Sequence, residues 1–344
     1  MIGAVIHGAE PLDSGIFQEI LSSIDDVGRI IMAGTTGAAS VIDAGLEGRV
    51  EILTHNLVSS AVRELSESHE LVLIVNQGKT LEGSLRFASI IKHRSCPCGI
   101  PVIMMDDGFH CVLTPGDESV WKPIIQRFCP NEEKVPDYQD SDTRVLHGVI
   151  PGENIWIDGN VIGRATKSNP SICKDEDGVL CFSGIDIRQS AFEHVKDFDI
   201  NTAKIRSGKV RRTSGKPAFV PNGVGDKVIL VDHDAEECLR TRKGVHLAVT
   251  IGDDTTRIAG SLLYRFSIPI IGVIDGDEDG ICDESILFPG SVLFTVRPGF
   301  DDVVGRLLKD GLFDGNISIP SDFRSVEEAV RKAVTPFLIA ENRH

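Results

Sequence analysis

The chain has 344 residues, 41% hydrophobic and 25% charged, with a mean hydropathy of +0.02; this balance belongs to a folded globular protein of two or more domains and excludes a disordered or fibrous chain. No apolar run reaches the roughly 18 residues of a transmembrane helix, and the opening stretch lacks the basic segment of a signal peptide, so a cytoplasmic location without a membrane partner is expected. Thirty-five Lys and Arg against 51 Asp and Glu give a net charge of -16, which repels nucleic acid over most of the surface.

Residues 1 to about 108 alternate apolar runs (Ile2–Ile6, Arg29–Met32, Val50–Leu53, Leu71–Val75, Pro101–Met105) with helical spacing, as over Ile16–Ile24 and Leu81–Ile91. Continuous Val, Ile and Leu runs separated by helices predict strands covered on both faces, a parallel α/β sheet. Beyond Trp121 the pattern decays, and Pro130 to Asp142 reads as a polar linker. From His147 to about Arg188 short segments are punctuated by turns. Asp158-Gly159 between Asn154–Ile157 and Val161–Gly163 predicts a hairpin in a small β module. The basic stretch Lys204 to Arg212 reads as a solvated linker face, with phosphate contact as the alternative. From Lys227 the α/β pattern resumes, with runs Val228–Val231, His246–Ile251, Ile268–Ile274 and Val292–Val296 and helical stretches around Thr256–Phe266, Asp301–Leu308 and Val326–Val334. The expected organisation is therefore an α/β domain over 1–128, a linker over 129–145, a β module over 146–190, a connecting segment over 191–225, and a second α/β domain over 226–344, both α/β regions being Rossmann-like parallel sheets.

The segments from Leu71 to Gly108 and from His246 to Asp277 echo one another. Each runs strand, Gly- and Thr-bearing turn, Gly-Ser-Leu (at Gly83 and Gly260), then Ile-Pro-x-Ile on a second strand ending in Asp. Duplication of an α/β unit accounts for this, although shared βαβ chemistry produces part of it. Ligands of such sheets bind at the strand carboxyl ends. The eight Cys have no paired CxxC spacing, which points to reduced, mostly buried thiols; Cys96 and Cys98 form the one close pair.

The sharpest motif is Asp275-Gly276-Asp277-Glu278-Asp279-Gly280, after an apolar strand. Alternating carboxylates on a turn can converge on a hard divalent cation, so Asp275, Asp277 and Asp279 are candidate ligands for Mg²⁺. Position twelve of an EF-hand loop would fall on Ile286, which excludes that motif. Upstream, Gly252-Asp253-Asp254-Thr255-Thr256 joins a strand to a helix. Its hydroxyls and carboxylates cap that helix, while Gly252, Thr255 and Thr256 can also hold phosphate and Asp253 and Asp254 can act as ligands or base. In the first region, Gly34-Thr35-Thr36-Gly37 follows a strand and permits close approach of a phosphate. Asn76-Gln77-Gly78-Lys79-Thr80 ends in GKT without the leading glycine of a P-loop, where Leu73 stands, leaving Lys79 and Thr80 as candidate anion contacts. Asp106-Asp107-Gly108 is the counterpart of the second acidic turn. His7, with Glu10 and Asp13 nearby, ends the first strand, a place suited to acid–base work or to a plain hydrogen-bonded loop histidine.

Asp275-x-Asp277-x-x-Gly280 at a strand end resembles the DxDxxG signature of the Toprim domain of topoisomerases and primases, and this implies Mg²⁺-dependent phosphoryl transfer over the last 120 or so residues. The Glu that the family carries on an earlier strand is not cleanly matched, since Val228–Val231 leads into Asp232-His233-Asp234 with Glu236 and Glu237 further on. Across the whole chain, the opening GAVIHGAEPLDSG, the turn from Gly34, the hairpin around Asp158-Gly159 and the segment from Gly252 to Asp277 together resemble an uncharacterised archaeal family, largely from methanogens, known as a domain of unknown function. The sequence thus predicts a Mg²⁺-dependent enzyme acting on a phosphorylated small molecule or nucleotide. The alternative is a non-catalytic sensor that clamps such a ligand between two α/β halves.

Overall fold

The computed structural model describes the chain except residues 34–36, 54–56, 96–97, 140, 158–159, 176–177, 189–191, 193–197, 204, 209–216, 222–224, 233–234, 236 and 277–285. The chain forms two compact units, Met1–Gly215 and Lys216–His344. Among the described residues no helix is long and apolar enough to cross a membrane.

In the first unit, β1 (Ile2–His7) is followed by α1 (Glu10–Asp13), α2 (Ile16–Ser22), β2 (Val27–Ala33), α3 (Ala38–Asp43), β3 (Glu51–Leu53), α4 (Val58–Ser66), β4 (Leu71–Val75), α5 (Leu81–Ser95), β5 (Val102–Asp106), β6 (Phe109–Thr114), α6 (Glu118–Phe128) and β7 (Asn131–Glu132). These strands make one sheet in the order β3-β2-β1-β4-β5-β6-β7. The first five are parallel and β6 returns antiparallel to β5. Alternate side chains feed two cores, as the period of two requires. Ile6, Leu73 and Val75 meet Phe17, Val41 and Trp121 on one face, while Val5, Val72 and Ile74 meet Val62, Leu65 and Ile91 on the other. This is the doubly covered parallel sheet that the apolar runs predict. Its order reverses between β1 and β4.

The β module follows in the same unit as β8 (Thr143–Val145), β9 (Asn154–Ile157), β10 (Asn160–Ala165), β11 (Ser171–Lys174), β12 (Leu180–Ser183), β13 (Ile185–Ile187) and β14 (Ile205–Ser207). It forms sheets β13-β10-β9-β14 and β12-β11-β8 around Ile155, Ile157, Ile162 and Ile172. The expected hairpin pairs β9 with β10, Trp156 opposite Val161, while its turn residues Asp158 and Gly159 lie outside the described residues.

The second unit runs β15 (Lys227–Asp232), α7 (Glu237–Thr241), β16 (Val245–Ile251), α8 (Asp253–Tyr264), β17 (Ile270–Ile274), β18 (Val292–Val296), α9 (Asp301–Gly311), β19 (Ser318–Pro320), α10 (Phe323–Val334) and β20 (Leu338–Arg343). Its sheet order is β19-β15-β16-β17-β18-β20, with parallel inner strands and antiparallel edges. Val304, Leu308, Val326, Val330 and Val334 of α9 and α10 bury against Val249, Ile271 and Phe294.

Candidate functional site

Where strand order reverses, the connections after the two neighbouring strands leave toward opposite faces and open a crevice at the carboxyl edge. In the first unit these connections follow His7 and Val75. Gly8, at φ +82°, turns the chain away from β1 in a conformation that side-chain-bearing residues avoid. After β4 the loop 76–80 leads into α5. The resulting cleft has a volume of about 260 Å³, and the β module completes its wall with His147, Arg206 and Ser207.

Buried Asp106, at the end of β5, organises the floor. Its carboxylate accepts the backbone N–H of Gly78 at 3.0 Å and of Asp107 at 2.8 Å, together with the side-chain amide of Asn76. The carbonyl oxygen of Asn76 lies 2.6 Å from Nδ1 of His7. The His7 ring stacks on Phe87 of α5 with centroids 4.2 Å apart. His7 is thus fixed in the ring plane by an amide and face-on by an aromatic ring.

At the start of α5, the Thr80 hydroxyl accepts the N–H of Gly83 at 3.1 Å, an N-cap interaction. Ser84 is 2% exposed, lines the cleft, and its Oγ has no hydrogen-bond partner among the described residues. A Cβ on residue 78 would stand 1.9 Å from that Oγ, so glycine is required for the loop to pass so close to the helix. Lys79 Nζ donates to Glu153 Oε1 at 2.6 Å and to Ser207 Oγ at 2.9 Å. Burial alone would raise the Glu153 carboxyl, but Lys79, the Ile150 N–H and Ser207 outweigh it and hold the group below its ordinary value. Arg206 lies 4.0 Å from the Trp156 ring centroid, and Trp156 is pinned by its Nε1 donating to the Gly208 carbonyl. Arg206 is therefore part of a packed cleft wall, whereas the sequence places it on a solvated linker face.

Lys79 and Thr80, together with His7, are the expected residues that this cleft gathers. Gly37 instead packs against the Met32 side chain at the start of α3, and Gly34, Thr35 and Thr36 lie outside the described residues. Missed in the sequence were Ser84, Glu153 and Ser207. A serine among small residues on a helix, and a glutamate in a Pro-Gly turn, carry no signal until distant segments meet.

The other expected residues belong to the second unit. Asp253 begins α8, and its Oδ2 accepts the N–H groups of Asp275 at 2.9 Å and Gly276 at 3.1 Å. Asp275 Oδ2 in turn accepts the Gly299 N–H at 2.6 Å. Asp253 and Asp275 are thereby brought together at adjacent strand ends, and Asp301, unmarked as a site in the sequence, joins them. Burial, then the charge of Asp275, pushes Asp301 up to about 6; burial also raises Asp253, against the two N–H donors. Gly252 turns into α8 at φ +91°. Asp254 follows in the first turn of that helix. Thr255 is buried, and Thr256 Oγ1 is bonded to Thr250 Oγ1 at 2.8 Å. Asp277 and Asp279 lie outside the described residues. Among the described residues, no three His, Cys, Asp or Glu side chains are placed to hold a metal ion. Cys96 also lies outside them, while the Cys98 thiol donates to the Ser95 carbonyl.

Residues 4–316 match the family described as "uncharacterized protein conserved in archaea (DUF2117)", and the chain belongs to it. A relative, the uncharacterized protein MJ0065 of Methanocaldococcus jannaschii, is 31% identical over 333 residues, covering 90% of this chain and 91% of its own. No solved structure matches.

Proposed function

We propose that this protein binds a phosphate-bearing small molecule, a nucleotide or phosphorylated metabolite, in the cleft of the first unit. The observation that carries this reading is Ser84. A hydroxyl withdrawn from water without a partner is unfavourable, and here it lies in the first turn of α5, beside the loop of Gly78, at the switch point where α/β sheets take ligands. A phosphate oxygen would accept from Ser84 Oγ, and the partial positive charge of the helix start favours the anion. Lys79, neutralised by Glu153, supplies a positive group whose partner can be exchanged. Titration of inorganic phosphate and pyrophosphate by calorimetry tests the reading. Saturable binding that Ser84→Ala weakens by about fivefold or more, the equivalent of one ordinary hydrogen bond, is expected. Wild-type protein that takes up neither anion would overturn it.

A second reading, Mg²⁺-dependent phosphoryl transfer on the second unit, is favoured by the meeting of Asp253, Asp275 and Asp301 at neighbouring strand ends. The likeness of Asp275-x-Asp277-x-x-Gly280 to the Toprim signature supports the same chemistry. The described carboxylates do not fit a cation site by themselves, since Asp253 and Asp275 already accept backbone N–H groups; Asp277 and Asp279 would have to supply the rest. Mn²⁺ binding followed by electron paramagnetic resonance, abolished in the Asp275→Asn, Asp277→Asn double variant, is its expected outcome. Equal binding by both proteins would end it.

A further inference from the structure

We infer that Cys173 and Cys181 of the β module form an exchangeable dithiol, which a low-molecular-weight disulfide oxidises to an intramolecular disulfide and a small thiol reopens. The inference is independent of the two ligand readings above, because the pair stands on the sheet β12-β11-β8 and shares no residue with either site.

The strand register brings the two thiols together. β11 and β12 pair antiparallel with Cys173 directly opposite Cys181 and, one position away, Ile172 opposite Phe182. Side chains alternate between the faces of a strand. Ile172 is buried in the module core with Phe182 packed against it, so the two cysteines share the outer face, where both are half-buried. Cys173 Sγ lies 3.6 Å from the Cys181 carbonyl oxygen. Other described thiols are placed differently. Cys111, Cys129 and Cys238 are buried, and burial pushes Cys111 up to about 12 and Cys129 up to about 11, which withholds the thiolate that exchange requires.

The ladder also fixes the character of the bond. Asp175 N–H donates to the Val179 carbonyl at 3.0 Å, whereas Lys174 N–H turns the other way, to the Asp142 carbonyl at 3.0 Å. Hydrogen-bonded and non-hydrogen-bonded pairs alternate in an antiparallel ladder, so Cys173 and Cys181, two positions from Asp175 and Val179, are again a hydrogen-bonded pair. Such residues hold their Cα atoms about 5.5 Å apart, within the roughly 4.4–6.8 Å that a disulfide spans. Their Cβ atoms stand about 5.5 Å apart, however, and a disulfide draws them to about 3.8 Å. β12 is the outer strand of its sheet and can shift without breaking a second ladder. A bond closed with that displacement is strained, and strained, accessible disulfides are the readily reduced ones.

Closure takes two exchanges. One cysteine thiolate bonds to a sulfur of the small disulfide, whose S–S bond breaks and releases one thiolate. The second cysteine then attacks the protein sulfur of this mixed disulfide and releases the other. Two cysteine thiols are oxidised, one small disulfide is reduced to two thiols, and the two cysteine protons end on those thiols.

The test uses the reduced, native, full-length chain. Burial, and behind it the charges of Asp175 and Cys173, raises the Cys181 thiol above its ordinary value, so the protein is incubated with oxidised glutathione at about pH 8.5, where an ordinary thiol is half ionised. Remaining thiols are blocked with N-ethylmaleimide and the tryptic digest is mapped by mass spectrometry. Cleavage after Lys174 separates the two cysteines unless they are bonded. The expected product is the Cys173–Cys181 linked peptide pair, two hydrogens lighter than the separate thiol peptides and lost again in millimolar reduced glutathione. In Cys173→Ser and Cys181→Ser the remaining thiol has no neighbour to close on, so its glutathione adduct should exceed the wild-type level by about tenfold or more. The wild-type map decides the matter even if a variant fails to fold. Cys173 and Cys181 left unlinked, as thiols or as glutathione adducts, overturn the inference, as does a bond joining either to another cysteine. A Cys173–Cys181 bond that resists millimolar reduced glutathione overturns the exchange, because it would be an unstrained structural disulfide.

Discussion

Glu153→Gln is the substitution whose consequences the cleft geometry specifies most closely. The side chains of Lys79 and Glu153 are 18% and 19% exposed, and their contact is 2.6 Å. The amide oxygen can still accept from Ile150 N–H and Ser207 Oγ, which turns its NH₂ toward Lys79, so the change removes the charge together with the acceptor of Lys79. Removing one member of a fully buried pair destabilises by about 3–5 kcal/mol, and exposed pairs contribute less than about 1. The partial exposure here puts the loss at roughly 1–3 kcal/mol. For a unit of this size that lowers Tm by about 3–10 °C. The pH dependence has a definite sign. Because the folded-state pKa of Glu153 is held below the ordinary value of 4.5, its contribution is fully present above that value and lost as pH falls through the lower folded value. Differential scanning calorimetry should therefore show the two proteins well separated at pH 7 and converging as the pH falls below the ordinary value of 4.5. The same variant leaves the charge of Lys79 unbalanced, so phosphate should bind more tightly, by up to about tenfold. A melting temperature within about 1 °C of wild type at pH 7, far below the shift expected from a half-buried pair, would refute the reasoning.

Ser84→Ala removes a hydroxyl that has no partner among the described residues, so its thermal stability should stay within about 0.5 kcal/mol of wild type or rise, even as phosphate binding weakens; a large drop in Tm would mean that the hydroxyl holds the fold. Asp301→Asn should stabilise the second unit at pH 7 to 8. The folded-state pKa of Asp301 is raised from 3.8 to about 6, so the native state binds more protons than the unfolded state between those values, and wild-type stability declines as pH rises through that window. The variant lacks that decline, and calorimetry that shows parallel pH profiles for the two proteins would exclude the repulsion. Asp106→Asn exchanges charge-assisted bonds for neutral ones. It should lower stability by about 1–2 kcal/mol, measured by chemical unfolding.

What was legible in the sequence was whatever is periodic or local. The five parallel strands of the first sheet fall on the apolar runs, because strands covered on both faces have no polar positions to interrupt them. Helices α8, α9 and α10 follow from their spacing in the same way. The edge strands β19 and β20 carried no such signal: Leu338–Arg343 is largely exposed, and an edge strand reads like any mixed polar segment. Helix α6 was hidden by Pro123 and by the Pro-Gly-Asp that leads to its Asp117 cap. Lys79 and Thr80 were found through the local GKT spacing. The partner of Lys79 is 74 residues away, so its neutralisation could come only from the fold. The echo between the two α/β regions holds as strand, helix and parallel strand. It slips in detail, because a single residue separates β16 from α8 while five separate β4 from α5. Those five residues, Asn76 to Thr80, build the cleft floor.

That difference explains why the two units present unlike strand ends. In the second unit the parallel strands β15, β16, β17 and β18 lie in sequence order, so none of these neighbours has the reversal that opens a crevice. The short turn after β16 instead places Asp253 where its carboxylate takes the N–H groups that follow β17, and Asp275 takes the Gly299 N–H that follows β18. Successive strand ends are laced together through side-chain carboxylates. Backbone donors that an anion would need are thereby already bonded, and the charge there is negative. In the first unit the reversal between β1 and β4 separates the two connections, and Asp106 ties down the floor without closing the mouth. The backbone donor at Gly78 is bonded to that floor, yet Ser84 Oγ has no partner among the described residues. The anion site proposed for the first unit therefore has no counterpart among the described strand ends of the second.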